Sequence, residues 1–217
     1  MSRPAPPAAR APIVLPSRVY CIVDPLDTGR DPVELGRAML AGGARLLQLR
    51  LKHAASGELV AIARRLRELT AAAGARFVVN DRIDVALAVE ADGVHLGQDD
   101  LPIAAARALL GPERWIGFST HSEAQLEAAS GCGADYLSLG PIFATTSKAK
   151  ADPVIGPAVL HSARPRVAEP VVAIGGITAA TMREVLDAGA DAVSVIAAVV
   201  RAPDVARATA ELLAVAG

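Results

Sequence analysis

The chain is short of aromatic residues: three Phe, two Tyr and one Trp make up 3% of its 217 residues. Hydrophobic residues still account for 52%, so the core must be built from Ala, Val, Leu and Ile. Cysteine is nearly absent as well. Cys21 falls in an expected strand and Cys132 in a helix-ending loop, which excludes a disulfide framework and a cysteine metal site and makes a reducing, cytoplasmic setting the expectation. No stretch approaches the roughly 18 uninterrupted apolar residues of a membrane span. A net charge of −1 excludes a global attraction to nucleic acid or anionic lipid, so any affinity for phosphate must be local. Residues 1–17, rich in Pro and Ala, lack the apolar h-region of a signal peptide and read as a flexible tail.

Two scarcities point to chemistry. Of 22 Lys plus Arg, only Lys52, Lys148 and Lys150 are lysine. A chain that otherwise uses arginine keeps lysine where a compact point charge is wanted, as at a phosphate. Asn80 is the sole asparagine.

What is present is a regular alternation. Strands are expected at Val19–Val23, Leu46–Leu49, Phe77–Val79, Gly93–Leu96, Trp115–Phe118, Tyr136–Leu139, Val171–Ile174 and Ala192–Ile196. Between them lie Ala-, Leu- and Arg-rich helical stretches such as 32–41, 57–73, 103–110, 123–129, 179–188 and 205–215. Near-continuous apolar strands alternating with helices mean a parallel sheet. Eight repetitions in a chain of this length predict an α/β fold of one domain over 18–217, a closed (β/α)8 TIM barrel. Gly43-Ala44-Arg45, Ala91-Asp92-Gly93, Gly133-Ala134-Asp135 and Gly189-Ala190-Asp191 form a weak repeat that leads from a helix into the even-numbered strands. Asp92, Asp135 and Asp191 therefore belong to the stability end of the barrel.

Candidate site residues gather where strands end. The second strand yields Gln48, Arg50 and Lys52; the third Asn80 and Asp81; the fourth His95, Gln98, Asp99 and Asp100. The fifth gives Ser119 and His121, the sixth Thr145 to Lys148, the seventh Gly175-Gly176, and the eighth Ser194 and Ala197. Carboxylates past neighbouring strands, such as Asp81 and Asp100, can share one hard cation, normally Mg²⁺ beside a phosphorylated ligand. Capping of the following helices is the plain alternative. Backbone N–H groups at Gly175-Gly176 suit a phosphate cup. His95 reads as a site group or as a satisfied interior histidine, and His121 as an acid–base group or as a helix-start residue. His53 and His161, and the Arg64-Arg65-Arg67 helix face, read as solvent-exposed. No nucleophile arrangement is visible.

At this point the chain resembles the thiamine phosphate synthase (thiamine-phosphate pyrophosphorylase) family. The motifs that carry the resemblance are Gln48-Leu49-Arg50-Leu51-Lys52, Asn80-Asp81, Ala91 through Leu101, Gly117-Phe118-Ser119-Thr120-His121, Gly140 through Thr145, Ala173 through Ile177 and Val193 through Ile196. The resemblance implies condensation of 4-amino-5-hydroxymethyl-2-methylpyrimidine pyrophosphate with a thiazole phosphate, in carboxylated or decarboxylated form, to thiamine phosphate and pyrophosphate. It implies Mg²⁺ on Asp81 and Asp100. Arg50, Lys52, Asn80, Ser119 and Lys148 would hold the pyrophosphate, with Arg50, Lys52, Ser119 and Lys148 catalytic, and Gln48 would face the pyrimidine. Thr145, Ser147, Gly176 and the Ile196-Ala197 turn would hold the thiazole phosphate.

Two positions depart from the family pattern: Ser147, where threonine is common, and Ala197, where serine is common. The partners implied are small phosphorylated pyrimidine and thiazole substrates, with neither nucleic acid nor membrane, and a homo-oligomer stays open. Thiazole tautomerase, a proton-transfer enzyme of the same fold with His121 as candidate, is the alternative. It has no need of the carboxylate and lysine set. A non-enzymatic phosphate-binding barrel gives no reason for paired carboxylates.

Overall fold

The computed structural model describes residues 13–145, 147 and 152–217. Eight parallel strands close into a barrel in sequence order: β1 (Val19–Val23), β2 (Leu46–Leu49), β3 (Arg76–Asn80), β4 (Gly93–Leu96), β5 (Trp115–Thr120), β6 (Tyr136–Leu139), β7 (Val171–Ile174) and β8 (Ala192–Val195). The helices are α1 (Pro32–Ala41), α2 (Ser56–Ala72), α3 (Ile83–Ala88), α4 (Ile103–Leu110), α5 (Glu123–Ala129), α6 (Ala158–Ala163), α7 (Met182–Asp187), α8 (Ala197–Val200) and α9 (Val205–Ala216). The expected (β/α)8 barrel is thus the architecture found.

Boundaries moved where local chemistry intervened. β5 runs two residues further than the apolar pattern indicates, because Thr120 and Ser119 continue the pairing with β6. Helix α7 starts later than residue 179, because Thr178 and Thr181 close a turn through Thr178 N–H to Thr181 Oγ1 at 3.0 Å. Ile196 leaves the last strand and starts α8. No helix among the described residues is long and apolar enough to cross a membrane.

The strands are buried on both faces, which is why they read as apolar runs. Their outward side chains pack under the helices in one large cluster containing Val19, Leu47, Phe77, Val94 and Leu137. Their inward side chains change character along the barrel axis. Tyr20, Leu46, Val78, Trp115, Tyr136, Val172 and Ala192 form a separate inner cluster. The next inward residues toward the C-terminal rim include Gln48, Asn80, His95, Ser119, Ser138 and Ser194, which line a cavity. A plug of apolar side chains below and polar groups above places the chemistry at the rim. The expected tail overlaps the barrel at Ile13 and Leu15, which pack against the inner cluster.

The weak repeat at the strand starts has a structural cause. Asp92 accepts from Phe77 N–H, Asp135 from Ile116 N–H and Asp191 from Val171 N–H, at 2.7–2.8 Å. Each satisfies an amide at the start of the preceding strand, on its first or second residue, and pairs with arginine: Asp92 with Arg67 and Arg76, Asp135 with Arg107, Asp191 with Arg164. Arg67 is therefore not a solvent-facing residue like Arg64 and Arg65; its head turns to Asp92 at 3.0 Å.

Candidate active site

The rim holds a cavity of about 320 Å³. Gln48, Arg50, Asn80, Ser119, Thr145, Ser147, Gly176, Ile196 and Ala197 all line it. By strand order they form two arcs, one from β2 to β5 and one from the loops after β6, β7 and β8. Lys52, Asp81 and Asp100 stand beside the first arc, with Lys52 Nζ 3.7 Å from Asp81 Oδ2. Lys148 lies outside the described residues.

Neither Asp81 nor Asp100 caps a helix. The N-cap positions of α3 and α4 are Arg82 and Pro102, neither with a side-chain cap bond. Asp81 instead sits in the left-handed region at φ 61°, a strained conformation for a residue with a Cβ, held by its N–H bond to His95 O at 2.8 Å. Asp100 is fixed by a tight turn in which Gly97 N–H donates to its Oδ2 at 2.7 Å. Partial burial, followed by the charge of Asp100, raises the Asp81 carboxyl above its ordinary range; Lys52 and Arg50 pull the other way. An aspartate whose proton affinity is raised by a neighbouring carboxylate, beside a lysine, suits a divalent cation with oxygen ligands. No group of three or more His, Cys, Asp or Glu placed to hold a metal ion occurs among the described residues. A cation here would complete its shell from ligand phosphate and water, as Mg²⁺ does.

Arg50 is gripped by Asp24, just past β1. Asp24 also accepts from Leu26 N–H at 3.0 Å. The same rule that singled out Asp81, a carboxylate just past a strand end, applied to Val23-Asp24 and would have found it.

Deeper in the cavity a buried chain of hydrogen bonds crosses the barrel. Gln48 Nε2 donates to Tyr20 Oη at 2.9 Å, and Tyr20 Oη meets Tyr136 Oη at 3.0 Å. Tyr136 Oη meets His95 Nδ1 at 3.0 Å, and His95 Nε2 meets Ser119 Oγ at 2.9 Å. Burial pushes both phenols well above their ordinary range, so they stay neutral. His95 is thus both a satisfied interior histidine and a group of the cavity wall. The only two tyrosines of the chain meet here; that scarcity was the available signal. His121 turns Nδ1 to Gly140 O at 2.9 Å and lies 3.4 Å from Asp152.

The Gly175-Gly176 turn serves packing first. A Cβ on Gly176 would lie 2.4 Å from Ala144 O, and one on Gly175 would lie 2.6 Å from the Pro141 Cα. Both glycines have positive φ, 102° and 64°. They let the β7 loop lie against the β6 loop, to which it is bonded through Phe143 N–H and Gly175 O at 3.0 Å.

The model of the thiamine monophosphate synthase (TMP-TENI) family matches residues 19–199. The chain belongs to the thiamine monophosphate synthase family. It is an enzyme of the transferase class. Thiamine-phosphate synthase of Methanospirillum hungatei is 47% identical over 192 residues, covering 88% of this chain and 93% of the relative. The Moorella thermoacetica enzyme of the same name is 51% identical over 191 residues, covering 88% and 91%. Among solved structures, thiamine phosphate pyrophosphorylase from Pyrococcus furiosus has a TM-score of 0.83 at 43% identity, covering 92% of this chain and 95% of that one. These thiamine monophosphate synthase relatives carry the synthase name, and the tautomerase alternative gains no support from them.

Proposed function

We propose that the chain joins 4-amino-5-hydroxymethyl-2-methylpyrimidine pyrophosphate to a thiazole phosphate, in carboxylated or decarboxylated form, and releases thiamine phosphate and pyrophosphate. The observation that carries the reading is the two-arc rim: Arg50, Asn80 and Ser119 beside the Asp81–Asp100 pair on one side, and Thr145, Ser147, Gly176 and the Ile196-Ala197 turn on the other. Two separate anion-holding arcs around one cavity suit two phosphorylated substrates.

In this reading the bond between the pyrimidine methylene carbon and the pyrophosphate oxygen breaks, and the electron pair leaves with pyrophosphate. The ring amine stabilises the methylene cation, and the thiazole nitrogen then bonds to that carbon. A carboxylated thiazole would lose its carboxylate as CO₂. The protein's task is to neutralise the leaving group and to exclude water. Arg50, held by Asp24, donates to the pyrophosphate; Lys52, Asn80 and Ser119 add charge and hydrogen bonds from neighbouring strands, and Lys148 is assigned the same role. Asp81 and Asp100 would hold Mg²⁺, which when bound offsets the charge growing on the departing pyrophosphate. Gln48 faces the pyrimidine. Ser147 keeps the hydroxyl that a threonine would offer, and Ala197 leaves the backbone N–H as donor.

Incubation of the protein with both substrates, with and without Mg²⁺, tests the reading. Formation of thiamine phosphate and pyrophosphate in equal amounts, dependent on Mg²⁺, is expected. Consumption of a thiazole phosphate alone, by isomerisation, would overturn it.

A further inference from the structure

We propose that the buried chain Gln48–Tyr20–Tyr136–His95–Ser119 is a polarity relay: it ties the group that Gln48 meets on the pyrimidine ring to the direction in which the Ser119 hydroxyl points. The inference rests on the reaction proposed above and adds the device that makes one end of the site sense the other.

The links measure 2.9, 3.0, 3.0 and 2.9 Å and join side chains of β2, β1, β6, β4 and β5. Tyr20 is 1% exposed and Tyr136 0%, so water does not compete for their hydroxyls. Each phenol carries one hydrogen, and a neutral imidazole carries one N–H and one acceptor nitrogen. With the His95 imidazole neutral, and with Ser119 Oγ at 2.9 Å from Nε2 closer than Ser138 Oγ at 3.5 Å, donation runs the same way at every link. In one state Gln48 N–H donates to Tyr20, Tyr20 to Tyr136, Tyr136 to His95 Nδ1, and His95 Nε2–H to Ser119. Gln48 Oε1 is then left to accept from a ring amine, and the Ser119 hydroxyl hydrogen is left to donate to an anionic oxygen. In the reverse state Ser119 donates to His95, the imidazole carries its hydrogen on Nδ1, and Tyr20 donates to Gln48 Oε1. Gln48 then offers N–H to the ligand, and Ser119 has no hydrogen left for an anion. An amine at position 4 of the pyrimidine selects the first state and thereby arms Ser119; a carbonyl at that position selects the second.

The chain is built rather than incidental. A Cβ on Gly117 would lie 2.4 Å from both His95 Nδ1 and Tyr136 Oη, so this glycine makes room for that link. Tyr136 stacks at 5.5 Å from the His95 ring and meets Tyr20 edge-on at 6.0 Å, which fixes the hydroxyls in line. Ser138 Oγ lies beside the chain, 3.5 Å from His95 Nε2. Tyr136 does not line the cavity. It is a positioning residue, acting on the ligand only through its neighbours.

The test reads the His95 tautomer directly. Protein labelled with ¹⁵N-histidine, with His95 assigned by its loss in His95→Asn, is mixed in Mg²⁺ buffer with the 4-aminopyrimidine pyrophosphate or with its 4-oxo counterpart. The amino ligand is expected to give the Nε2–H tautomer and the oxo ligand the Nδ1–H tautomer. Tyr136→Phe should abolish the difference and lower the preference for the amino over the oxo ligand by about tenfold, the size of one lost hydrogen bond. Tyr20→Phe serves as a second break should Tyr136→Phe not fold. The same tautomer with both ligands in the intact protein, or a ligand-dependent switch that survives both substitutions, overturns the relay. If neither ligand moves the ring signals, the relay falls together with the pyrimidine reading. If the tautomer switches while no thiamine phosphate forms in the turnover assay, the relay stands and the assigned reaction alone falls.

Discussion

Asp24 clamps Arg50 across the β1–β2 edge of the rim, with the two side chains only 13% and 15% exposed. The pair sits where the cavity opens, and Arg50 N–H also bonds to Val23 O at 3.0 Å. The carboxylate thus fixes a guanidinium whose five donors match a phosphate only in one orientation. Asp24→Asn keeps the shape and loses the charge. Turnover with the pyrimidine pyrophosphate is expected to fall by about tenfold. Arg50→Ala should cost more, and the double variant no more than Arg50→Ala alone, because the two residues act as one unit. Additive losses in steady-state kinetics would separate them.

The Asp81–Asp100 pair predicts opposite effects on stability and activity. Asp81 holds its proton to a higher pH in the folded chain than its ordinary value of 3.8. The folded state therefore binds more protons than the unfolded state in that window, and stability falls as pH rises from 3.8 through the raised value. Asp100→Asn removes the like charge, so the variant's fall should be shallower and its Tm at neutral pH no lower than that of the unaltered chain. Turnover should nevertheless drop by about a hundredfold or more, because in the proposed reaction Asp100 is a Mg²⁺ ligand. Adding Mg²⁺ with pyrophosphate should raise the Tm of the unaltered chain and leave Asp100→Asn unmoved. Thermal scans across pH, with and without both additives, read all of this.

The barrel was legible because its strands are buried on both faces and its helices carry ordinary amphipathic runs, so period and length agree from Val19 to Ala216. The rim residues were legible for a related reason: in a barrel, the residue past a strand's end is at the site wherever the strand stands in sequence. Asp24 obeys that rule too, one residue past the end of β1. The Tyr20–Tyr136 contact was not legible from spacing, although the scarcity of tyrosine marks both residues. It joins residues 116 apart, and which inward side chains meet across a barrel depends on stagger between strands that sequence spacing does not carry. The role of Gly176 was legible in place but not in cause, since the group its missing Cβ avoids is Ala144 O of the neighbouring loop.

That cause changes what Gly176→Ala should do. At φ 64° and with only 2.4 Å between a new Cβ and Ala144 O, the β6 loop must shift. A stability loss of about 1–2 kcal/mol is expected. Thr145 and Ser147 follow Ala144 in the same loop, so the thiazole phosphate should bind less tightly, seen as a higher KM for that substrate. Lys52→Ala should behave differently, lowering turnover and leaving the thiazole KM alone, because in the proposed reaction it faces charge that grows only as pyrophosphate departs. Kinetics with each substrate varied in turn distinguish the two. A Gly176→Ala variant weakened only toward the pyrimidine pyrophosphate would show that the strand-seven loop serves the other substrate.

The three aspartates at the opposite end of the barrel should matter to stability in proportion to burial and not at all to chemistry. Asp135 is the most enclosed, its side chain 5% exposed, and it holds both Arg107 at 2.6 Å and Ile116 N–H at 2.7 Å. Asp135→Ala leaves a strand amide and a guanidinium without their shared acceptor, an expected loss of about 3 kcal/mol. Asp191 makes the same pair of contacts, to Arg164 and Val171 N–H, but is 38% exposed, so water replaces much of what the carboxylate supplied. Asp191→Ala should cost about 1 kcal/mol. Urea unfolding measures both losses, and kcat/KM measured well below the transition should match the unaltered chain. A drop in kcat/KM for Asp135→Ala under those conditions would mean that the lower end of the barrel transmits its packing to the rim.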